Sequence, residues 1–164
     1  MPRRFVWVAL GASACGVQVQ ASPIVPETPS TVASRVKADV AEIIDGINAK
    51  DIGKATKFDA PDLISMESMR EPSYGAKANR DGLTMAFKYA PDWHLSKIDE
   101  AVDVSKSGDM AIYRSTYNED SLRDGVPYTH KVNFLAEFRR DPDGPWRVHW
   151  SVVSAQSPSK KKEG

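Results

Sequence analysis

The sequence predicts an α+β domain in which helices come first and antiparallel strands follow. Between Thr31 and Ile47, apolar residues recur at the spacing that places them on one face of a helix. After Trp93 the chain changes to runs of β-branched and aromatic residues separated by turn residues. Helices followed by strands is the order of an α+β fold and not of alternating parallel units.

Three helices are predicted in the first half of the chain. The first runs from Thr31, where Thr28 or Ser30 is a suitable cap and Pro29 suits the first turn. The elements predicted after it are a short helix over Asp51–Phe58 closed by Pro61, a strand over Leu63–Ser68, a turn through Pro72 and Gly75, and a helix over Ala76–Ala90.

The second half is predicted to form an antiparallel sheet. Turn residues at Ser107–Asp109 and Asp141–Gly144 mark two tight connections, and a polar loop is expected over Asp120–Gly125. The predicted strands are Trp93–Val104, Met110–Tyr117, Thr129–Arg140 and Trp146–Ser154.

The last two strands can pair in either of two registers. If Arg140 pairs with Pro145, then Ala136 faces His149. Because side chains alternate across a sheet, His149 and Ser151 would then share one face with Ala136.

A slip of one residue exchanges the two faces of the last strand. It turns Trp146, Val148 and Trp150 inward and His149 outward. The hydrophobic pattern favours this slip, whereas the family resemblance described below favours the first register, which we take as the expectation. In the first register Trp146 and Trp150 form an exposed pair that would mark a dimer interface.

Composition is that of a soluble globular protein. Apolar residues make up 41% of the chain and charged residues 27%. The 22 basic residues balance the 22 acidic ones, so no basic face points to nucleic acid as a partner. The basic run Lys160–Lys162 lies at the end of the sequence, and we expect residues 157–164 to form a disordered tail.

The beginning of the chain is typical of a bacterial export signal. Arg3 and Arg4 precede the uncharged apolar stretch Phe5–Val17, which is shorter than the roughly 20 residues that span a bilayer. Small residues before Ser22 suit signal peptidase. We therefore expect a signal peptide at 1–21, a proline-containing linker at 22–30, a domain at 31–156, and a periplasmic or secreted protein.

Cys15 is the only cysteine and leaves a second route open. The segment Gly11–Cys15 resembles a lipobox, although Ala12 stands where leucine is usual. Lipidation at Cys15 would anchor the protein to a membrane. Cleavage after Ala21 would instead leave a chain without a thiol, and so without a disulfide or a thiolate nucleophile.

Three segments in the second half resemble a known family. They are Ser107–Ala111, Arg114–Tyr117 and Phe138–Val148. In this order they resemble the SnoaL-like and ketosteroid-isomerase-like group of the nuclear transport factor two superfamily, and most closely its branch named only as a domain of unknown function. The resemblance covers about Thr31–Ser154. It implies a cone in which the three N-terminal helices close a curled antiparallel sheet around a hydrophobic pocket, and it implies a homodimer.

The resemblance also locates the isomerase catalytic positions. Those enzymes use an aspartate base with a tyrosine and a protonated aspartic acid as hydrogen-bond donors. The resemblance places the tyrosine at Ile43, the acid donor at Ala136 and the base at Met66, or at Glu67 one residue later. Since Ile43 and Ala136 cannot donate a proton, steroid-isomerase chemistry is not expected.

The pocket implied by the resemblance is lined from the last strands. The catalytic candidates are His130, His149 and Glu67, with Glu67 near the mouth. No metal is expected, because the two histidines lie several residues apart and no third ligand has suitable spacing; no cofactor motif is present either. The predicted ligand-binding residues are Tyr113, His130, Phe134, Ala136, His149 and Ser151.

Two functions follow from these observations. The first is an exported domain that binds an apolar small molecule, with isomerase- or dehydratase-type proton transfer if it is an enzyme. The second is a non-catalytic domain whose pocket is filled by its own side chains and which acts by dimerisation or by binding a protein. Fold alone does not decide between them.

Overall fold

The computed structural model describes residues 27–141 and 144–156, so the predicted signal peptide, Cys15 and the basic tail lie outside the described residues. The predicted α+β class is confirmed. The elements in chain order are α1 (Pro29–Ala49), α2 (Ile52–Ala55), β1 (Asp59–Glu67), β2 (Ser73–Tyr74), α3 (Ala76–Tyr89), β3 (His94–Val104), β4 (Met110–Arg123), β5 (Val126–Arg140) and β6 (Trp146–Ala155).

The strands form one curled, unclosed sheet. Its order is β2-β1-β6-β5-β4-β3. Strands β3 to β6 are joined as consecutive antiparallel neighbours. Strand β1 departs from this pattern because it lies parallel to β6, which the sequence analysis did not anticipate.

Helix α1 covers the inner face of the sheet. Thr28 caps it by accepting a hydrogen bond from the Thr31 backbone N–H at 3.2 Å, so the helix begins at Pro29 rather than at Thr31. Val32, Val36 and Val40 recur along one face and are fully buried. They pack on the strands to form the main hydrophobic core.

The register expected for the last hairpin is wrong at the turn. Arg140 pairs with Trp146 rather than with Pro145. Trp146 and Val148 therefore point inward, where each is 4% exposed in the core. Burial of the Trp146 indole and of the Val148 side chain stabilises the register that is slipped by one residue. This gain exceeds any cost at the turn. The expected exposed pair of tryptophans does not form.

A β-bulge then reverses the alternation of β6. His149 is the extra residue, so the pairing moves on by one and Ala136 faces Ser151 instead of His149. Ser151 points inward, and Trp150 beside it points to the outer face. The strand thus buries Trp146 and Val148 before the bulge and Ser151 after it.

Several elements differ from those predicted, and the largest differences are in β1, β2 and β4. Strand β1 begins at Asp59, upstream of Pro61, rather than at Leu63. Strand β2 was not predicted. Strand β4 continues to Arg123, and the expected polar loop shrinks to a turn at Asp124-Gly125, where both residues have positive φ of 53° and 78°.

Among the described residues, no helix combines the length and the apolar character needed to cross a membrane.

Candidate functional site

A cavity of about 800 Å³ lies between α3 and the inner face of the sheet. This volume is in the range of pockets that enclose small organic ligands. Much of the wall is apolar. The apolar part of the wall includes Ile43, Ile44 and Ile47 of α1, Leu83 and Ala86 of α3, and Val132, Phe134 and Val153 of the strands.

Helix α3 forms a wall of this cavity and takes little part in the core. None of its residues is fully buried. A side chain added at Gly82 would meet nothing within 4 Å. The helix is fastened near its start, where the Gly75 backbone N–H donates to the Leu63 carbonyl at 2.6 Å.

Asp59 places a carboxyl group in the cavity wall. It accepts a hydrogen bond at 2.8 Å from the side-chain amide of Asn79 on α3, which also lines the cavity. Burial raises the pKa of the Asp59 carboxyl to about 6, although the bond from Asn79 and the positive charge of Arg80 act in the opposite direction. A carboxyl with this pKa exists in both protonation states near neutral pH.

The backbone holds Asp59 in place from the other side. The residue opens β1 and pairs with Val148 of β6. The Val148 N–H donates to the Phe58 carbonyl at 2.8 Å, and the Arg147 guanidinium donates to the Asp59 carbonyl at 3.3 Å. The carboxyl group therefore projects from a fixed point of the sheet.

Further polar groups lie along β1 towards the solvent. The hydroxyl groups of Ser65 and Ser151, which face each other across β1 and β6, are 3.4 Å apart. Beyond them, Arg70 donates to the Glu67 carboxylate at 2.9 Å. Glu67, Arg70 and Glu71 are exposed residues of the wall, and we refer to them as the mouth of the cavity.

A second cluster of polar side chains, formed by Tyr113, Tyr117 and Glu100, lies beneath α1. The Tyr113 and Tyr117 hydroxyls are 2.9 Å apart, and Tyr113 also donates to the Glu100 carboxylate at 3.2 Å. Because the single Tyr113 proton goes to Glu100, the proton between the tyrosines belongs to Tyr117. Burial raises the pKa of both tyrosines above the ordinary value. Only Tyr117 reaches the cavity wall.

Comparisons with known proteins bear on the fold. No family model matches the sequence, and no curated protein resembles it. Solved structures do match: an NTF2-like superfamily protein from Salmonella enterica serovar Typhimurium is 15% identical, with a TM-score of 0.71 over 84% of this chain and 99% of that one. The chain has the NTF2-like fold.

Other solved NTF2-like proteins support the same conclusion. A provisionally assigned dehydratase from Streptomyces avermitilis is 18% identical, with a TM-score of 0.69 over 80% of this chain and 100% of that chain. A ketosteroid isomerase-like protein from Erwinia carotovora is 20% identical, with a TM-score of 0.58 over 77% and 97% of the two chains. At these identities the comparison establishes the NTF2-like fold and leaves the activity open.

The wall of the cavity includes three of the residues that the sequence analysis predicted to be functional. Phe134, Ser151 and Glu67 all lie in its wall. Tyr113 and Ala136, in contrast, are fully buried in the core cluster beneath α1. Ile43, at the position that the resemblance assigns to the isomerase tyrosine, contributes only apolar surface to the wall.

The two histidines do not come together. His130 Nε2 lies 3.8 Å from the carboxylate of Glu119, which lines the cavity, and its ring lies 5.3 Å from that of Tyr128. His149, displaced by the bulge, has Nδ1 3.3 Å from the Asp62 carboxylate on β1. Neither imidazole contributes to the cavity wall, and no group of three potential metal ligands occurs within residues 27–141 and 144–156.

Asp59 is the functional candidate that the sequence analysis missed. The sequence pattern closes the second helix with Pro61 and predicts a strand only from Leu63, which places Asp59 in a connection. A useful signal was present, because proline is tolerated near the first residues of a strand. Starting the strand at Asp59 would have placed a carboxyl group on the sheet.

Proposed function

We propose that this NTF2-like domain binds an apolar small molecule in the cavity and that Asp59 exchanges a proton with it. The observation that carries the proposal is the Asp59 carboxyl, which lines the cavity, is held by Asn79 and has a pKa of about 6. A group that changes charge near the working pH is suited to general acid–base catalysis.

The residues around the cavity restrict the reactions that Asp59 could catalyse. The steroid-isomerase donors are absent at Ile43 and Ala136, so a developing enolate would lack their stabilisation. Hydroxyl groups are present at Ser65 and Ser151 instead. In an isomerisation, Asp59 takes a proton from a carbon atom of the ligand and returns it at another position. In a dehydration, Asp59 takes a proton from a carbon atom and delivers it to the hydroxyl group on the neighbouring carbon, which leaves as water while a carbon–carbon double bond forms.

Native mass spectrometry of the protein, purified gently from its export compartment, tests the binding part of the proposal. A retained small molecule is the expected result. The neutral dye Nile red provides a second readout, since its emission rises in an apolar cavity. A protein that carries no small molecule and does not bind Nile red contradicts the proposal.

Proton transfer requires a separate test with the retained molecule. The wild-type protein in D₂O should introduce deuterium into it, and Asp59→Asn should abolish this exchange. Asp62→Asn is the matched control, since Asp62 lies on the same strand with its side chain 77% exposed. Equal exchange by wild type and Asp59→Asn would show that Asp59 does not transfer the proton.

We also propose that the domain is a homodimer formed through the outer face of the sheet. This face carries apolar residues on three adjacent strands, namely Ile64 and Met66 of β1, Trp150 and Val152 of β6, and Leu135 of β5, which pair with one another across the strands. A shallow groove of about 500 Å³ borders the patch and shares Leu135 and Val152 with it. A second copy would cover the same patch on both subunits. Sedimentation velocity should give a dimer. A monomer at about 100 µM, roughly a hundred times a micromolar Kd, contradicts this.

We propose that the protein is exported, and the predicted signal peptide at 1–21 supports this through its sequence alone. We expect the mature chain from the periplasm or the medium to begin at Ser22. Intact-mass measurement of both the soluble and the membrane fraction tests this. A diacylated chain beginning at Cys15 would instead establish a lipid anchor, and an uncleaved cytoplasmic chain would contradict export.

A further inference from the structure

The cavity wall has a marked excess of negative charge. Its ionisable carboxyl groups are Asp59, Glu67, Glu71 and Glu119, whereas Arg70 supplies the only guanidinium among the described residues of the wall. No lysine contributes to the wall as the structure describes it. A cavity of low polarity concentrates the field of such groups.

Neighbouring cations compensate only part of this charge. Arg70 pairs with Glu67 at the mouth, at 2.9 Å. His130 lies 3.8 Å from Glu119, a contact that carries charge only when the imidazole is protonated. Arg80 acts on Asp59 from α3 at longer range. The pairs that exist leave Asp59 and Glu71 without a direct ion pair among the described contacts.

Lys50 does not neutralise the cavity either. Its ammonium group donates to the backbone carbonyls of Ile47 and Trp93. It also lies over the rings of Phe87 and Trp93, at 5.6 and 6.0 Å from their centroids. This lysine therefore ties the end of α1 to the start of β3 and is not part of the wall.

Aromatic rings complete an environment that suits a cation. Trp93, Tyr89, Tyr117 and Phe134 all lie in the wall. The faces of such rings attract positive charge, most strongly where water is excluded. An anionic ligand would gain nothing from these rings and would be repelled by the carboxylates.

We propose that the ligand of this cavity is a lipophilic cation, an apolar body that carries an ammonium group. The inference rests on the proposed function, namely that the cavity binds a small molecule, and adds the charge of that molecule. The hydrocarbon part contacts the isoleucine and valine side chains of the deep wall, and the ammonium group lies among the carboxylates. Carboxylated ligands are rejected by the same charges.

Three probes of equal chain length test the sign of the charge. Decylamine, decanol and decanoate are titrated into the mature protein by calorimetry at pH 7.5, each below its micelle-forming concentration. We expect decylamine to bind at least about tenfold more tightly than decanoate, a difference of about 1.4 kcal/mol in binding free energy. Decanol should bind with an intermediate affinity. Decanoate binding as tightly as decylamine overturns the inference.

A pair of variants shows whether the cavity charge is responsible. Glu119→Gln removes one wall carboxylate and should reduce the preference for decylamine over decanoate by at least about threefold. Asp103→Asn removes an exposed carboxylate that pairs with Arg114 on the outer face, and should leave the preference unchanged. An unchanged preference in Glu119→Gln counts against the inference.

The outcomes separate the two proposals. If decanol and decanoate bind but decylamine has no advantage, the cavity binds small molecules and only the inference about charge fails. If none of the three probes binds and Nile red does not bind, the proposed function fails together with the inference.

Discussion

At the scale of single residues, Asp59 combines a cost in stability with its proposed role in proton transfer. Its carboxyl is partly removed from water and accepts one side-chain hydrogen bond, from Asn79. Ionising it in the folded protein is therefore harder than ionising it in the unfolded chain. Groups of this kind are retained at functional sites at the expense of stability.

The sign of the resulting pH dependence is defined. The pKa of Asp59 is about 6 in the folded protein against 3.8 as a model value. Between these values the folded state holds the proton that the unfolded state has lost. The contribution of Asp59 to stability therefore falls as the pH rises from about 4 to about 6, and it is constant above and below that window.

Asp59→Asn should remove this loss. The amide retains the size of the carboxyl and can still accept from Asn79, but it does not titrate. Urea unfolding should show wild type and variant equally stable near pH 4 and the variant more stable at pH 7.5, by up to about 3 kcal/mol. Asp62→Asn, on the exposed side of β1, should change neither value. Parallel pH profiles for wild type and Asp59→Asn would contradict this account.

At the scale of elements, the two long helices have different tasks. Helix α1 buries Val32, Val36 and Val40 against the sheet, and its end packs on α2. Helix α3 buries no residue fully and forms the wall of the cavity. The first helix is therefore part of the core, whereas the second can move at small cost.

Glycines in these helices should respond in opposite directions to the same substitution. A Cβ at Gly46 would lie 2.4 Å from the Ala55 backbone nitrogen, so Gly46→Ala must push α2 away from α1. We expect a loss of about 2 kcal/mol. A Cβ at Gly82 meets nothing within 4 Å, so Gly82→Ala should stabilise α3 by about 0.5–1 kcal/mol. Denaturant unfolding measures both. A stabilised Gly46→Ala would show that the helices are not in close contact.

Hydrogen exchange should distinguish the helices in the unmodified protein. Amides in the middle of α3 should exchange at least about tenfold faster than those around Val36 and Val40 in α1, because few contacts oppose the local opening of α3. Mass spectrometry of exchanged peptides measures the difference. Equal protection of the two helices would mean that α3 is held by contacts as extensive as those of α1.

At the scale of the whole molecule, the curled sheet presents two different surfaces. Its inner face is covered by α1 and α3 and encloses the cavity. Its outer face leaves Ile64 37% exposed beside the half-buried Trp150 and Val152. Apolar patches that extend over several strands commonly mark interfaces. The cavity and the proposed dimer interface therefore lie on opposite sides of one sheet.

A charge on the outer face should separate the proposed subunits. Val152→Lys places an ammonium group in the centre of the apolar patch and should give a monomer in sedimentation velocity. Val126→Lys is the matched control at a position that is 63% exposed beside the β4–β5 turn, and should remain dimeric. Circular dichroism checks that both variants keep the fold. A dimeric, folded Val152→Lys would place the interface elsewhere.

The sequence by itself determined the order and type of the main elements. Helical spacing of valines and isoleucines, proline at a helix start and glycine in turns act over a few residues, so they can be recognised without knowing the fold. The same holds for the segments that resemble the NTF2-like superfamily, whose implied fold is confirmed. The inward-facing positions of Phe134 and Ser151 were expected from the register that the resemblance favours, against the hydrophobic pattern of the last strand.

Only the tertiary structure decided the register and the content of the cavity. The bulge at His149 allows Trp146 before it and Ser151 after it both to face inward, where they meet surroundings that include helices distant in sequence. The parallel pairing of β1 with β6 joins residues from the two ends of the domain and brings Asp59 opposite Val148. The pKa of Asp59 then depends on burial and on Asn79, which α3 supplies from 20 residues away. These features depend on packing between segments that are far apart in the chain, so no short stretch of the sequence can predict them.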